Sequence, residues 1–216
     1  LAILLNRTSK FKQTFQTIFL FPMALSFVVT GTIWRWIFSP GTLPNNPQGI
    51  NLLLQKIGLT NLQWSWFVSH KEVLGFNFAL VAVIIAAIWQ FSGYAMVIWL
   101  AGIKGIPKEI IEAARIDGAS TWQLLTKILF PLLRPLTISI MIILAHISLK
   151  AFALVYSMTG SGPNNITDLP AIYMFETTFK GNQYSTGASI AIVMFVFIII
   201  VIIPYLIKSF KEESQC

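Results

Sequence analysis

The sequence predicts an all-α fold, a polytopic bundle of membrane-spanning helices, on three observations. Apolar residues make up 56% of the 216 and charged residues only 11%, more apolar surface than a soluble domain of this length needs. Four runs, at residues 17–38, 77–101, 136–158 and 187–208, are apolar and long. At 1.5 Å per residue each reaches roughly 30 to 37 Å, against a hydrocarbon core of about 30 Å. Lysine and arginine are also unevenly shared among the connections. Ten fall on one side (Arg7, Lys10, Lys12, Lys104, Lys108, Arg115, Lys127, Arg134, Lys208, Lys211) and three on the other (Lys56, Lys71, Lys180). The basic side is expected in the cytoplasm, which assigns the 102–135 connection and the C-terminus there. Residues 1–216 read as a single transmembrane domain.

Residues 1–5, LAILL, read as the tail of a further span ending at Asn6, since a signal peptide would carry a basic start and a cleavage site. In the first full span, Arg35 lies three residues from the outer end and can snorkel to the interface. Outside, Gly41 to Gly49 (GTLPNNPQG) is rich in turn residues. Ile50 to Ile57 then predicts a short amphipathic helix presenting Leu52, Leu53, Leu54 and Ile57, stopped by Gly58. Trp64, Trp66 and Phe67 suit the headgroup layer. In the second span, Trp89, Gln90, Ser92 and Tyr94 interrupt an aliphatic run, with Gln90 and Tyr94 four residues apart. Neutral donors and acceptors beside flat aromatic faces are the chemistry that recognises sugars, although the same residues also serve helix packing.

The most informative stretch is a polar, basic, helix-forming island, Glu112 to Pro135 (EAARIDGASTWQLLTKILFPLLRP), between greasy spans. Pro107 suits the first turn of a helix and Glu109 the positive end of its dipole. Ile110, Ala113, Ala114 and Asp117 follow at helical spacing, small enough at the centre for another surface to approach, and Glu112 and Arg115 are placed to pair. Gly118 is a natural stop, and Ser120 can cap a second helix running through Trp122, Leu125 and Leu129 to Pro131. The prediction is helix, sharp turn, helix, along the membrane surface.

In the third span His146 and Lys150 lie four apart on one face, with Ser148 to the side. An ionisable side chain at mid-bilayer costs on the order of 2.5 to 3.5 kcal/mol on insertion scales, which makes Lys150 a candidate either for lining a pathway or for contacting a neighbouring subunit. His146 reads as a hydrogen-bonded interhelical residue. The second outer loop opens TGSGPNN, residues 159–165, with glycines for a turn and Pro163 to stiffen it.

Several function classes are excluded. The net charge of +7 raises nucleic acid as a partner, but no basic groove studded with aromatics accompanies it. The single cysteine, Cys216, excludes a disulfide framework within one chain. No G-x-x-x-x-G-K-[ST] phosphate loop is present, so any ATP is bound elsewhere. A membrane-embedded enzyme is disfavoured because no span carries an acid to pair with His146 and His70 lies outside the spans. A secondary transporter would need a mid-membrane carboxylate or matched broken helices, and neither is legible.

Glu112, Ala113, Ala114, Gly118 and Pro131, with Asp117 and Ala119 between them, resemble the EAA loop of the inner-membrane permeases of ATP-binding-cassette importers. Phe21-Pro22, Trp34-Arg35-Trp36 and Thr159-Gly160-Ser161-Gly162-Pro163 make the chain similar to the carbohydrate-uptake branch, on the side of the first of the two permeases in maltose-type systems. Two positions depart: Phe130 stands where Leu is usual, and Ala153 follows Phe152 where Asp is common. The resemblance implies a type I importer permease core, a second permease subunit, two cytoplasmic ATPase subunits that bind ATP and magnesium, and an extracytoplasmic solute-binding protein. It implies that Glu112, Ala113, Ala114, Asp117, Gly118 and Ala119 form the contact with the ATPase. It also implies that Thr30, Gln90, Phe91, Tyr94, Ser148 and Ala151 line a mid-membrane sugar site, with Lys150 a further candidate. Lys150 keeps an anionic solute such as glycerol phosphate open as the alternative.

Overall fold

The computed structural model describes residues 12–213 apart from 44, 68–71, 74–75, 150 and 163–164. The expected stub at residues 1–5 and the candidate Lys150 lie outside the described residues. The chain is helical almost throughout. Its contacts divide it into two compact units, one holding the chain up to Leu25 and Ile88–Ala145, the other Ser26–Ala87 and the chain from His146 onward.

In the first unit, α1 (Lys12–Ala24) carries Pro22 within it. The expected span at 17–38 is not one helix: α1 stops, and α2 (Phe27–Ile37) restarts behind an extended Ser26 at ψ 139°. Pro22 has no N–H to give the ladder, and the freed backbone at this break finds partners elsewhere, as described below. The second span is α4 (Phe78–Gly105), 28 residues and about 42 Å, continuous as predicted and belonging to both units. Its C-terminal half packs Met96, Leu100 and Ile103 with Leu133, and Phe19 of α1 joins them. Gly93 makes this contact possible, since a Cβ there would run into the backbone carbonyl of Phe19. Without a hydrophobic force between helices in lipid, such small-residue contacts are how spans associate.

Between α2 and α4 the second unit holds a hairpin, β1 (Gly41–Thr42) with β2 (Asn46–Pro47), then α3 (Gly49–Lys56) and a 3₁₀ turn at Thr60–Leu62. A further short pair, β3 (Glu72–Val73) with β4 (Phe76–Asn77), leads into α4. α3 forms where expected, and Gly58 follows its end at φ +80°. It presents Leu52, Leu53 and Ile57, all exposed, while Asn51 is fully buried. Asn51 is held because its Nδ2 donates to the Trp64 carbonyl at 2.8 Å and its Oδ1 accepts from the Trp64 N–H at 3.2 Å. Trp64 and Trp66 accordingly pack inward. Trp66 lies 4.7 Å from Phe38 and Trp64 4.0 Å from Phe78 between ring centres, forming an aromatic cluster.

The third expected span, 136–158, is also broken. α7 (Arg134–Leu149) ends before residue 150, and α8 (Phe152–Met158) starts from an irregular Ala151 at ψ 50°. α8 packs closely on α2, around Val155, Met158 and Ile172. α9 (Pro170–Phe175) continues into a π-helical turn at Glu176–Lys180, an element not predicted. α10 (Tyr184–Glu213) is the last span, apolar all round, with Ile192, Val193, Phe195 and Ile200 exposed. A helix with no polar stripe belongs in a membrane. By length and composition α4 and α10 qualify singly as spans, and two further broken pairs qualify when each is taken together.

Candidate coupling elbow and translocation residues

The elbow is built as its residues predict, starting from α5 (Lys108–Ile116), which begins after an extended Pro107 at ψ 136°, with Glu109 in the first turn. Pro107 therefore sits at the cap, one place before the expected first turn. At the other end Gly118 takes φ +79°. Its N–H donates to the Arg115 carbonyl at 3.1 Å and the Ala119 N–H to the Ala114 carbonyl at 3.0 Å. This pair of bonds is the Schellman termination, and it satisfies carbonyls the helix would leave open.

The second arm, α6 (Thr121–Leu132), starts at Ser120, whose side chain accepts from the Gln123 N–H while Gln123 Oε1 accepts from the Ser120 N–H at 2.8 Å. That reciprocal pair is a capping box. Leu124–Leu129 is π-helical, just ahead of Pro131. A proline ring collides with the carbonyl four residues back, and widening the ladder upstream relieves it. α7 then leaves α6 at a bend of 67° around Leu133.

The six elbow candidates divide. Glu112, Ala113, Asp117 and Gly118 are exposed, with Ile110 and Ile116 beside them, so one face of α5 is open to water. Ala114 is buried, packed against Leu124 and Leu129, and Ala119 is half-buried in the same cluster. Ala114 thus faces the elbow's own second arm instead of the expected outward surface; its small size lets the arms close. Among the described residues no ion pair joins Glu112 to Arg115, and both remain available on the surface.

The pathway candidates also divide. Gln90 is fully buried, and its Nε2 donates to the Pro22 carbonyl at 2.6 Å and to the Leu25 carbonyl at 3.2 Å. These are the carbonyls exposed where α1 stops, so the amide nitrogen is committed to holding that break. Gln90 Oε1 has no partner among the described residues. Phe91 and Tyr94 follow on the same helix, half-buried. In the other unit Thr30 is fully buried on α2, its hydroxyl without a partner among the described residues, while Ser148 is exposed near the end of α7 and Ala151 caps α8. His146 was expected to be hydrogen-bonded, and its Nδ1 is buried with no partner among the described residues. It faces a cavity of about 500 Å³ lined by Phe152, Met174, Phe175, Met194 and Phe195.

One cluster had no sequence signal beyond four-residue spacing. Lys180 Nζ lies 2.8 Å from Glu176 Oε1 and 5.4 Å from the centre of the Tyr156 ring. The hydrogen bond to Glu176, then that to Tyr156, raises the Lys180 pKa above its usual value. Burial, and then the charge of Glu176, raises that of Asp168. The loop before them is pinned by Thr167, fully buried, whose hydroxyl accepts from that of Thr159 at 2.9 Å.

Known proteins share this arrangement along the whole chain. Residues 1–211 match the family described as Binding-protein-dependent transport system inner membrane component. A probable ABC transporter permease protein of Pyrococcus horikoshii is 42% identical over all of this chain, which spans 70% of that protein. The xylose/arabinose import permease protein of Haloferax volcanii is 40% identical over 98% of this chain, which spans 63% of its length. Among solved structures, a bacterial alginate ABC transporter, in complex with alginate pentasaccharide-bound periplasmic protein, superposes with a TM-score of 0.76 at 21% identity, covering 94% of this chain and 67% of its own. That likeness confirms the fold. With the sequence match spanning all but the last few residues, the chain belongs to the binding-protein-dependent transport system inner membrane components, the permease subunits of ABC importers.

Proposed function

We propose that this permease forms, with a second and different permease subunit, the alternating-access pathway for inward transport of a sugar, driven by ATP that two cytoplasmic ATPase subunits hydrolyse. An extracytoplasmic solute-binding protein delivers the sugar. The chain itself is a transport subunit and performs no catalysis; ATP and magnesium stay with the ATPase. The sugar assignment is supported by the 40% identity to the Haloferax xylose/arabinose permease. Neutral hydrogen-bonding groups on the spans, the Thr30 hydroxyl and the free Oε1 of Gln90, agree with it.

The observation that carries the coupling role is the open face of α5. Glu112 and Ala113 are exposed on α5 and Asp117 at its C-cap, and the helix is closed by the Schellman turn and packed on α6 through Ala114. A rigid helix so held transmits a push from a partner into the spans, where a loose loop would absorb it. Reversing the charge at its centre tests this. Glu112→Lys is expected to cut ATP-dependent uptake in proteoliposomes about tenfold or more, because losing a charged contact at an interface costs on the order of 2 kcal/mol or more. The thermal unfolding of the permease stays as in wild type, since Glu112 is exposed. Full recovery of the ATPase with the variant, together with undiminished solute-stimulated hydrolysis, would overturn the reading.

A further inference from the structure

The cavity that His146 faces lies wholly within the second unit. α10 lines it with Ala191, Met194, Phe195 and Ile198, the spacing of one helix face, and α9 with Ala171 and Phe175. Its volume of about 500 Å³ is many times the roughly 30 Å³ share of one water molecule. Among the lining side chains only His146 is polar. Its Nδ1 is buried with no partner among the described residues. The ring turns about χ2 between two broad wells, so a nitrogen can be brought to the cavity.

Depth selects the occupant. His146 lies twelve residues, about 18 Å, along α7 from Arg134, and Met194 ten residues, about 15 Å, along α10 from Tyr184. Both lengths end near the middle of a hydrocarbon core of about 30 Å. An acyl chain at that depth fills space but brings no hydrogen-bonding group, and a lipid head lies about 15 Å away. Bulk water is absent there, so an imidazole nitrogen needs a protein partner. A helix with a hydroxyl or amide side chain supplies both the apolar volume and that partner, and Ala171 and Ala191 leave room for its backbone to approach. Resting on the reading that this chain works with a second permease, we propose that the cavity is the seat of one helix of that subunit, which sets a Ser, Thr, Asn or Gln side chain against His146. Phe195, 63% exposed on this chain by itself, is then covered.

The test uses the complete transporter in membranes, with Phe195 replaced by the photocross-linker p-benzoylphenylalanine. Illumination is expected to join this chain to the second permease. The same cross-linker at Val193, 68% exposed but two residues away and so on the far side of α10, is expected to leave the two chains separate. In a detergent titration of the complex, His146→Leu is expected to weaken retention of the second permease about fivefold, the worth of one interhelical hydrogen bond. His146→Gln, which still hydrogen-bonds, restores it. Adducts from Phe195 only with lipid, within the same chain or with a second copy of it would overturn the proposal, as would equal adducts from Val193. Unchanged retention in His146→Leu, or an equal loss in His146→Gln, would do the same. A second permease retained in full while Phe195 never reaches it sinks this inference and leaves the proposed function standing. A wild-type transporter that takes up sugar with no second permease in it sinks both.

Discussion

Gln90 joins two demands at one residue. An amide in the middle of a spanning helix must find partners, and a helix stopped inside the membrane leaves carbonyls that must find donors. The contacts at 2.6 and 3.2 Å to Pro22 and Leu25 meet both. Gln90→Leu would keep the volume, take the side-chain donor from the Leu25 carbonyl and leave Pro22 only the longer bond from the Leu25 N–H, at about 1 to 3 kcal/mol by the desolvation of a buried acceptor. A lowered unfolding temperature is therefore expected, with the ratio of KM values for two competing sugars unchanged. If that ratio moved while the unfolding temperature held, Gln90 would be a solute ligand and the structural role would be wrong. Thr30 and His146, like Gln90 at its Oε1, each have a buried polar atom that the described residues leave open. Groups of this sort are where a solute or a neighbouring subunit has something to complete.

At the scale of elements, the elbow depends on two terminations of unlike cause. Gly118 is there for its backbone: it takes φ +79°, and a Cβ added to it meets nothing within 4 Å. Gly93 is there for space, since its Cβ would meet Phe19. The two glycines therefore predict opposite substitution patterns. At Gly118, Asn is tolerated, because its short polar side chain visits the left-handed region, while Val adds roughly 1 to 2 kcal/mol and loosens the turn. The check is co-purification of the ATPase with Gly118→Asn and Gly118→Val; equal loss in both would mean that bulk at the interface matters and the turn does not. The elbow was legible because its signals are local: a stop glycine, a Ser-x-x-Gln cap and apolar residues at helical spacing. The π-helical turns at Leu124–Leu129 and Glu176–Lys180 were not, because a ladder widens in response to neighbours and Pro131 alone does not specify it. The break between α7 and α8 carries no proline or glycine, and the burial of Asn51 on α3 follows from its meeting Trp64, thirteen residues away.

Across the whole molecule, composition and hydropathy marked where long apolar helices lie, as α4 and α10 show, because each is a statement about solvent and not about partners. They could not say which spans are continuous. The distinction matters for sidedness, which rests on counting crossings. Asn45 in the β1–β2 hairpin and Asp117 at the elbow are both exposed, and one continuous crossing, α4, separates them along the chain. The positive-inside count predicts that the two positions lie on opposite sides, with Asp117 on the side given ten of the lysines and arginines. Cys216 is the only cysteine, so a Cys216→Ser background leaves the chain free of thiols for labelling. In that background a cysteine placed at Asp117 is expected to react with a membrane-impermeant maleimide only in inside-out vesicles, and one placed at Asn45 only in intact cells or right-side-out vesicles. Labelling of both from one side would mean that α4 does not cross, and the coupling role of α5 would fall with it. Labelling at Asp117 from outside alone would invert the molecule and place the elbow beyond reach of any cytoplasmic motor.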